Sequence, residues 1–440
     1  MKRLQPHGLN LGFQTEVLNA GKKSKFLKSK LEAYVRITNS VNGKVVVLPM
    51  RSFVNTFIVS LRGFLYGGTN PKASTAIRSV SANGAGTFGM FIGTGTTGVQ
   101  LSQTALVIKA SSASIAYGAT SFIPPGVDLP IAPSGAAPSG EDPVFLGDGS
   151  DPTGGRLPSG NTLSYPGITR TKISRIFTNT LGVTFTVKEL GLIAQASRAS
   201  DGAPIVATML SRDIVDAGQP GAPAGVGVPA GAAITFDFEF ILQQSPNGYG
   251  GAVLNLSRLV YNFLIKGNQN DQPLIDINSN GITLTQSSLG ATLGASAGDI
   301  TASTALQVRD QLGVDGFIGI VVGRYNTADQ SGKNAIISPG DTTFNVTHTG
   351  LTVGTCLVSA ITNPYSNASQ FTVIRDFTNT TTTAIYLDRI GLVNKGTSSN
   401  PGTSMVSGQA FYAINKPSGG YIELQPSQTL RVTYTFGIKV

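Results

Sequence analysis

The side chains most often used for acid–base and metal chemistry are scarce in this sequence. Its 440 residues include two histidines, His7 and His348, and one cysteine, Cys356. Neither histidine has a second metal ligand at helical spacing, and no nucleophile elbow, phosphate-binding loop or dinucleotide fingerprint is found. Cys356 fits a small buried hydrophobic residue, and a single cysteine excludes an internal disulfide. The sequence therefore predicts no catalytic residue, metal site or cofactor, and hence a protein that is not an enzyme.

One stretch resembles the first half of a calcium-binding loop. Asp276-Ile277-Asn278-Ser279-Asn280-Gly281 places side-chain oxygens at alternate positions and a glycine where such loops turn sharply. Ser287 stands where a bidentate glutamate is required, so the ligand set is incomplete. We favour a polar turn before a strand at Ile282, and cation binding at residues 276–281 stays open.

The strongest chemical signal is positive charge near the N-terminus. The chain has 32 Lys and Arg against 23 Asp and Glu, a net charge of +9, and many of the basic residues lie before residue 37. Apolar residues interrupt them at helical spacing, which predicts a short basic amphipathic helix or an arm that orders on a partner. Such an arm could neutralise phosphates or pack on a neighbouring subunit. The candidate contacts with nucleic acid or another acidic partner are Lys22, Lys23, Lys25, Lys28, Lys30 and Arg36.

The composition indicates an all-β protein. Gly (54) and Pro (23) are abundant and predict many turns, whereas charged residues make up only 12%. A hydrophobic share of 40% argues against disorder. No run of eighteen apolar residues occurs, so no membrane span is expected, and the N-terminus lacks the apolar centre of a signal peptide.

The final strand has a near-copy almost two hundred residues earlier. Apolar and polar residues alternate over residues 430–440, which is typical of a strand with one buried face, and residues 234–242 repeat the pattern. Upstream, Arg175-Ile176-Phe177-Thr178-Asn179-Thr180 matches Arg375-Asp376-Phe377-Thr378-Asn379-Thr380. Alternation alone does not demand the shared Arg-x-Phe-Thr-Asn-Thr run, so we interpret the chain as an internal duplication.

The duplication defines two tandem all-β domains. Unit 1 spans residues 51–243 and contains a long Gly/Pro-rich loop at 118–167, which is expected to dock on an adjacent subunit. A linker at 244–255 leads to unit 2 at 256–440, and residues 1–50 form the basic N-terminal arm and a first strand. Short strands between Gly/Pro turns predict β-sandwich or jelly-roll-like units.

Local patterns also predict individual elements of unit 1. Residues 52–66 carry apolar side chains at helical spacing and are predicted as a helix. Residues 45–50, 89–94 and 104–109 are predicted strands. Residues 168–178 and 183–195 are predicted to pair as a hairpin around Asn179-Thr180-Leu181-Gly182.

The order of several short runs resembles structural proteins of tailed bacteriophage virions. These runs are Ser52-Phe53-Val54-Asn55-Thr56-Phe57, Phe91-Ile92-Gly93-Thr94-Gly95, Val187-Lys188-Glu189-Leu190-Gly191-Leu192 and Met209-Leu210-Ser211-Arg212-Asp213. The resemblance covers most of unit 1 and, more faintly, unit 2, where Arg389-Ile390 and Ile414-Asn415 replace Glu189-Leu190 and Arg212-Asp213. It implies a role in particle assembly through contacts between β-sandwiches.

The leading hypothesis is a virion structural subunit of a bacteriophage. A capsid component is favoured, as a shell, decoration or head-to-tail protein that forms homo-oligomers, contacts other virion proteins and is assembled in the host cytoplasm. A double jelly-roll coat protein is the sharper version. The alternative is a receptor- or glycan-binding fibre or adhesin module, which should expose aromatic residues at loop tips. A hydrolase is disfavoured because histidines and placed carboxylates are scarce.

Overall fold

A computed structural model of the chain describes residues 9–18, 22–41, 43, 45–50, 53–66, 89–123, 168–197, 204–215, 225–243, 250–252, 256, 261, 274–275, 281–282, 292–293, 300–301, 319–324, 349–395, 403–410 and 422–439. Most of the predicted loop at 118–167 lies outside these residues, as do His7, His348 and residues 276–280 of the calcium-like stretch. Of that loop, residues 118–123 belong to a strand.

In the part of the chain that the structure describes, almost all regular elements are β-strands, and α1 at Asn55–Tyr66 confirms the helix predicted at residues 52–66. The first strands are β1 Leu9–Leu18, β2 Lys22–Asn39, β3 Val45–Met50, β4 Gly89–Gly93, β5 Ile115–Ile123, β6 Ile168–Asn179, β7 Phe185–Val187, β8 Glu189–Ser197, β9 Pro204–Ile214, β10 Val226–Val228, β11 Ala233–Gln243 and β12 Gly250–Ala252. The others are β13 Leu274–Ile275, β14 Gly281–Ile282, β15 Thr292–Leu293, β16 Ile300–Thr301, β17 Gly319–Arg324, β18 Leu351–Val353, β19 Leu357–Val358, β20 Thr362–Tyr365, β21 Ala368–Asn379, β22 Ile385–Lys395, β23 Thr403–Ala410, β24 Ile422–Leu424 and β25 Thr429–Lys439.

The largest sheet has eleven strands and crosses from unit 2 to unit 1. Its order is β18-β21-β25-β1-β2-β11-β6-β5, with β19 and β20 also paired to β21 and β3 paired to β2. The two matched strands, β11 and β25, therefore lie in one sheet and are separated by β1 and β2 alone. In β25 the buried residues alternate with half-buried and exposed ones, which confirms the alternation predicted for the final strand.

The basic N-terminal segment forms part of this sheet, so the predicted helix is wrong. β1 and β2 are an antiparallel pair; β1 pairs on its other side with β25, and β2 pairs with β11. The register shifts once, between Leu11 and Phe13 of β1, where the partners change from Ser29 to Phe26. The extra residue in β2 breaks the period-two pattern, and this break is why the apolar residues mimic helical spacing.

Smaller sheets carry the rest of each unit. In unit 1, β4, β8 and β9 form a three-stranded sheet and β7 pairs with β10. In unit 2, β23, β22 and β17 form a sheet that β12 of the linker joins next to β23, with β24 also paired to β22, and the short strands pair as β13 with β14 and β15 with β16. The chain between β6 and β8 thus passes from the large sheet to a small one.

Two local predictions are corrected by this topology. Residues 168–178 and 183–195 do not pair as a hairpin, because β6 pairs with β5 and β11 while β8 pairs with β4 and β9. The side chain of Asn179 bonds to the backbone at this turn, which lets the chain leave the sheet instead of folding back along it. Residues 104–109 form a loop with one isolated bridge, between Gly93 and Lys109, rather than a strand.

The buried hydrophobic residues form one connected core that includes residues of both units. In unit 1, Phe177 of the large sheet contacts Phe236 edge to face, and Tyr117 contacts Phe91 of the small sheet. In unit 2, Phe371 and Phe436 stack with ring centroids 4.8 Å apart. Cys356 is fully buried, which confirms the small buried residue predicted there.

Candidate functional site

Four of the six candidate basic residues occupy positions on one face of the large sheet. In β2, Lys23 and Lys25 lie opposite Glu16 and Gln14 of β1, and Lys30 lies opposite Asn10. Arg36 lies opposite Asp237 of β11. The two others do not join this row, because Lys22 lies opposite the buried Val17 and Lys28 lies within the register shift.

A row of alternating charge runs across four strands of this face. Lys23 in β2 is followed by Glu16 in β1, Arg431 in β25 and Asp376 in β21. Arg431 donates to Asp376 through Nε (2.8 Å) and Nη2 (2.7 Å), and this hydrogen bond raises the pKa of Arg431. Opposite charges at facing positions of neighbouring strands stabilise the strand register. The ladder position of Lys23 has such an acidic residue, Glu16, directly opposite it.

The four basic residues on this face divide into two kinds according to the residue that lies opposite each one in the ladder. Lys23 and Arg36 have a carboxylate residue opposite them in the ladder, Glu16 and Asp237, whereas Lys25 and Lys30 face neutral residues there. Asp237 itself also accepts a hydrogen bond from Ser174 and lies 3.7 Å from Nζ of Lys172. Lys25 and Lys30 are therefore the two residues of this row that have no carboxylate residue directly opposite them in the ladder.

A second cluster of charge is buried in unit 1 and was not predicted from the sequence. Glu189 at the start of β8 and Arg212 in β9 form an ion pair, Nε to Oε2 2.8 Å, in which both side chains are fully buried. The carboxylate also accepts backbone N–H groups from Gly95 (3.0 Å), Val107 (3.0 Å) and Ile108 (2.6 Å). The pair thus fixes the loop at residues 94–109 to the small sheet.

Arg212 extends this network along the same loop. Its Nη1 donates to the carbonyl of Thr97 (2.9 Å) and to Oε1 of Gln103 (3.1 Å). Gly95 packs so closely on Glu189 that an added Cβ would lie 2.7 Å from the carboxylate carbon. A buried charge is tolerated only when it is paired and hydrogen-bonded, and Glu189 meets both conditions.

Arg175 and Arg375 make matching contacts in the two units. Arg175 donates from Nε to Gly118 O (3.0 Å) and from Nη1 to Met90 O (2.9 Å). Arg375 donates from Nε to Gly354 O (2.7 Å) and from Nη1 to Ile320 O (3.0 Å). In each unit the arginine joins its strand in the large sheet to a strand of a small sheet, β4 or β17.

Burial perturbs the ionisable groups around Arg175. Desolvation lowers the pKa of Arg175 to about 10, and the nearby phenol of Tyr117 acts in the opposite direction. Desolvation raises the pKa of Tyr117 to about 12, and the charge of Arg175 partly offsets that rise. The guanidinium carbon lies 4.9 Å from the centroid of the Tyr117 ring. The hydrogen bonds of Arg175 to Gly118 O and Met90 O hold the two sheets together.

Asn179 and Asn379 also have matching contacts. Asn179 donates from Nδ2 to Val183 O and Val228 O, both at 2.8 Å, and its Oδ1 accepts from Leu181 N. Asn379 donates from Nδ2 to Thr383 O and Leu424 O, both at 2.8 Å, and its Oδ1 accepts from Thr381 N. The shared Arg-x-Phe-Thr-Asn-Thr run thus holds the same two kinds of backbone contact in each unit.

Comparisons of the chain with protein-family models, curated proteins and solved structures find no match. Among the residues that the structure describes, no group of three or more His, Cys, Asp or Glu is close enough to hold a metal ion. No helix in that part of the chain is long and apolar enough to cross a membrane.

Proposed function

We propose that this chain is a non-enzymatic structural subunit of a bacteriophage virion, and most specifically a capsid component. The observation that carries the proposal is the continuous eleven-stranded sheet, in which an N-terminal hairpin connects two halves with matching contacts. Such a subunit offers two similar surfaces to a symmetric assembly, as a shell, decoration or head-to-tail protein requires. Its site of action would be the virion, after assembly in the host cytoplasm.

The matching contacts support an internal duplication. Arg175 and Arg375 each connect two sheets through backbone carbonyls, and Asn179 and Asn379 each close the turn that leaves the large sheet. Chance similarity between β-rich segments would reproduce alternation but not buried arginines and asparagines with the same partners. We therefore propose two β-sandwich units of jelly-roll-like type that share one large sheet.

Packaged nucleic acid is the acidic partner that we propose for Lys25 and Lys30. Lys25 and Lys30 lie at positions whose neighbours in the ladder are neutral, so their charges are not already matched across strands. The test is binding of double-stranded DNA to the full chain as a function of salt. Loss of each phosphate contact should reduce the salt slope by about 1.

The double variant Lys25→Ala/Lys30→Ala should weaken DNA binding, and Lys23→Ala/Arg36→Ala is the matched control because those residues face carboxylates. Equal losses in both variants, or DNA binding that is insensitive to salt, would contradict this assignment. The structural role itself is tested by electron microscopy of the concentrated full chain. Rings, tubes or shells with a regular repeat are expected, and particles that remain single subunits would count against the proposal.

A further inference from the structure

The N-terminal segment contains two successive hairpins that repeat after 22 residues. The first hairpin is β1 with residues 22–30 of β2, and the second hairpin is residues 31–39 of β2 with β3. The first corresponding pairs are Phe13 with Phe26 and, 22 residues later, Val35 with Leu48. The next three pairs along each hairpin keep this offset. The two hairpins therefore have the same strand register.

Each hairpin pairs with the last strand of one unit, and the two pairings correspond. β1 of the first hairpin pairs with β25, and residues 31–39 of the second hairpin pair with β11. Leu430 in β25 lies opposite Val17. The matched Ile234 in β11 lies opposite Asn39, which is again 22 residues later. The correspondence continues pair by pair along the rest of the ladder between β1 and β25, so the first hairpin occupies on unit 2 the position that the second occupies on unit 1.

The large sheet changes from unit 2 to unit 1 within the single strand β2. β1 pairs with residues of β2 between positions 22 and 31, whereas β11 pairs with residues 30–39. These two neighbours of β2 therefore overlap only at Lys30 and Leu31. The first half of β2 lies beside β1, and the second half lies between β3 and β11.

The pairing of the first hairpin makes its stability depend on unit 2. An isolated two-stranded hairpin is at best marginally stable in water, so it needs a further strand. Nine residues of β1, from Asn10 to Leu18, pair with β25, whereas β11 of unit 1 pairs with the first hairpin only at Lys30. Val17 of this hairpin is also buried in the core. Without β1, in turn, β25 would present an open strand edge.

We infer that the first hairpin is the docking hairpin of unit 2 and that the second is the docking hairpin of unit 1. The docking surface is the backbone edge of the last strand of each unit, and the partner that it binds is an antiparallel hairpin of this chain. Unit 2 is then discontinuous in sequence, because residues 9–30 join residues 256–440. The boundary in the N-terminal segment lies at residues 30–31, inside one uninterrupted strand. The inference does not rest on the virion role, which requires no particular assignment of the hairpins.

The first measurement is amide hydrogen exchange of the full chain, followed on peptides by mass spectrometry. Asn379→Ala removes backbone contacts within unit 2, and Asn179→Ala is its matched counterpart in unit 1. In Asn379→Ala, amides of residues 9–29 should exchange at least about 30-fold faster, as those of β25 do, while those of residues 31–39 stay within about 3-fold of wild type. Asn179→Ala should give the opposite pattern. Acceleration of both hairpins by similar factors, or of the hairpin assigned to the other unit, would overturn the inference.

The second measurement changes each hairpin and follows exchange in the units, and it decides the question even if an asparagine variant does not fold. Val17→Ala truncates a buried residue of the first hairpin, and Ile37→Ala truncates one of the second. Val17→Ala should accelerate exchange in β25 and β21 at least about 10-fold and leave β11 and β6 within about 3-fold of wild type. Ile37→Ala should do the reverse. If β11 and β6 accelerated as much as β25 in Val17→Ala, the hairpins and both units would form one cooperative block, and the inference would be wrong.

Discussion

Replacing Glu189 by Gln should destabilise the protein severely although the side chain keeps its size. The carboxylate accepts four hydrogen bonds, two on each oxygen, and balances the charge of Arg212. A glutamine has one carbonyl oxygen, so at least two of the four donors lose an acceptor and face an amide N–H₂ instead. Arg212, which is fully buried, is left with an uncompensated charge.

The size of the effect follows from these losses. Breaking a buried ion pair by removing one partner costs about 3–5 kcal/mol, and each unsatisfied buried donor costs about 1–3 kcal/mol. The two costs overlap because they concern the same atoms, so we expect a total of about 3–5 kcal/mol. With a denaturant slope of about 3 kcal/mol per M, the unfolding midpoint should fall by roughly 1–1.7 M urea.

The measurement is urea unfolding followed by circular dichroism and tyrosine fluorescence, since the chain has no tryptophan. Glu423→Gln is the matched control, because Glu423 is exposed and its carboxylate accepts hydrogen bonds from Gln425 and Tyr386 at the surface. It should cost no more than about 0.5 kcal/mol. If Glu189→Gln cost less than about 1 kcal/mol, the claim that this carboxylate holds the loop at residues 94–109 would be wrong.

Four further predictions concern other parts of the fold. Asn179→Ala and Asn379→Ala should each lower the free energy of unfolding in urea by about 2–4 kcal/mol, because each leaves buried backbone groups unpaired. The controls Thr180→Ala and Thr380→Ala change exposed neighbours and should cost under about 1 kcal/mol. A large cost in one unit alone would contradict the proposed duplication. Gly95→Ala should lower the melting temperature of the protein, because the added Cβ would collide with Glu189. Gly98→Ala should leave the melting temperature unchanged, because the added Cβ there meets no atom within 4 Å. Similar melting temperatures for the two variants would argue against the close packing of Gly95 on Glu189. The Tyr117 hydroxyl should ionise near pH 12 in an absorbance titration, and this step should be missing in Tyr117→Phe. Because the pKa of Tyr117 is higher in the folded state than the value of about 10 of an unfolded tyrosine, its contribution to stability should be complete below pH 10 and decline between pH 10 and about 12. Ionisation of Tyr117 near pH 10 would refute its burial. Deletion of residues 1–41 should abolish folding, since it removes the two strands between β11 and β25, and a soluble variant with an unchanged circular dichroism spectrum would contradict that topology.

The sequence predicts best those elements whose pattern is local. The alternation of residues 430–440 and the helical spacing of residues 52–66 each reappear in the structure, because one face of each element is buried and the other is not. The same reasoning from local pattern fails for the N-terminal segment, which was predicted as a helix and forms strands. A register shift opposite Leu11 and Phe13 adds a residue to β2, so apolar positions before and after it no longer alternate.

Contacts between distant segments could not be predicted in the same way. Glu189 and Arg212 are 23 residues apart, and only the register of β8 with β9, in which Gly191 lies opposite Arg212, brings them together. One sequence signal could have indicated this pair: each charged residue lies within an otherwise apolar strand. In unit 2 both are replaced, Glu189 by Arg389 and Arg212 by Ile414. The turn at Asn179 could not be predicted correctly for the same reason. A polar turn between two strands indicates a hairpin, and only the distant pairing partners of β6 and β8 show that these two strands do not pair.

The mass of the purified full chain in solution tests the central claim most directly. Size-exclusion chromatography with light scattering reports the mass of each species over a range of protein concentration. A structural subunit that acts through contacts between copies should give masses that are multiples of 45.6 kDa and that increase with concentration toward a closed assembly. A single species of 45.6 kDa at every concentration would contradict the account.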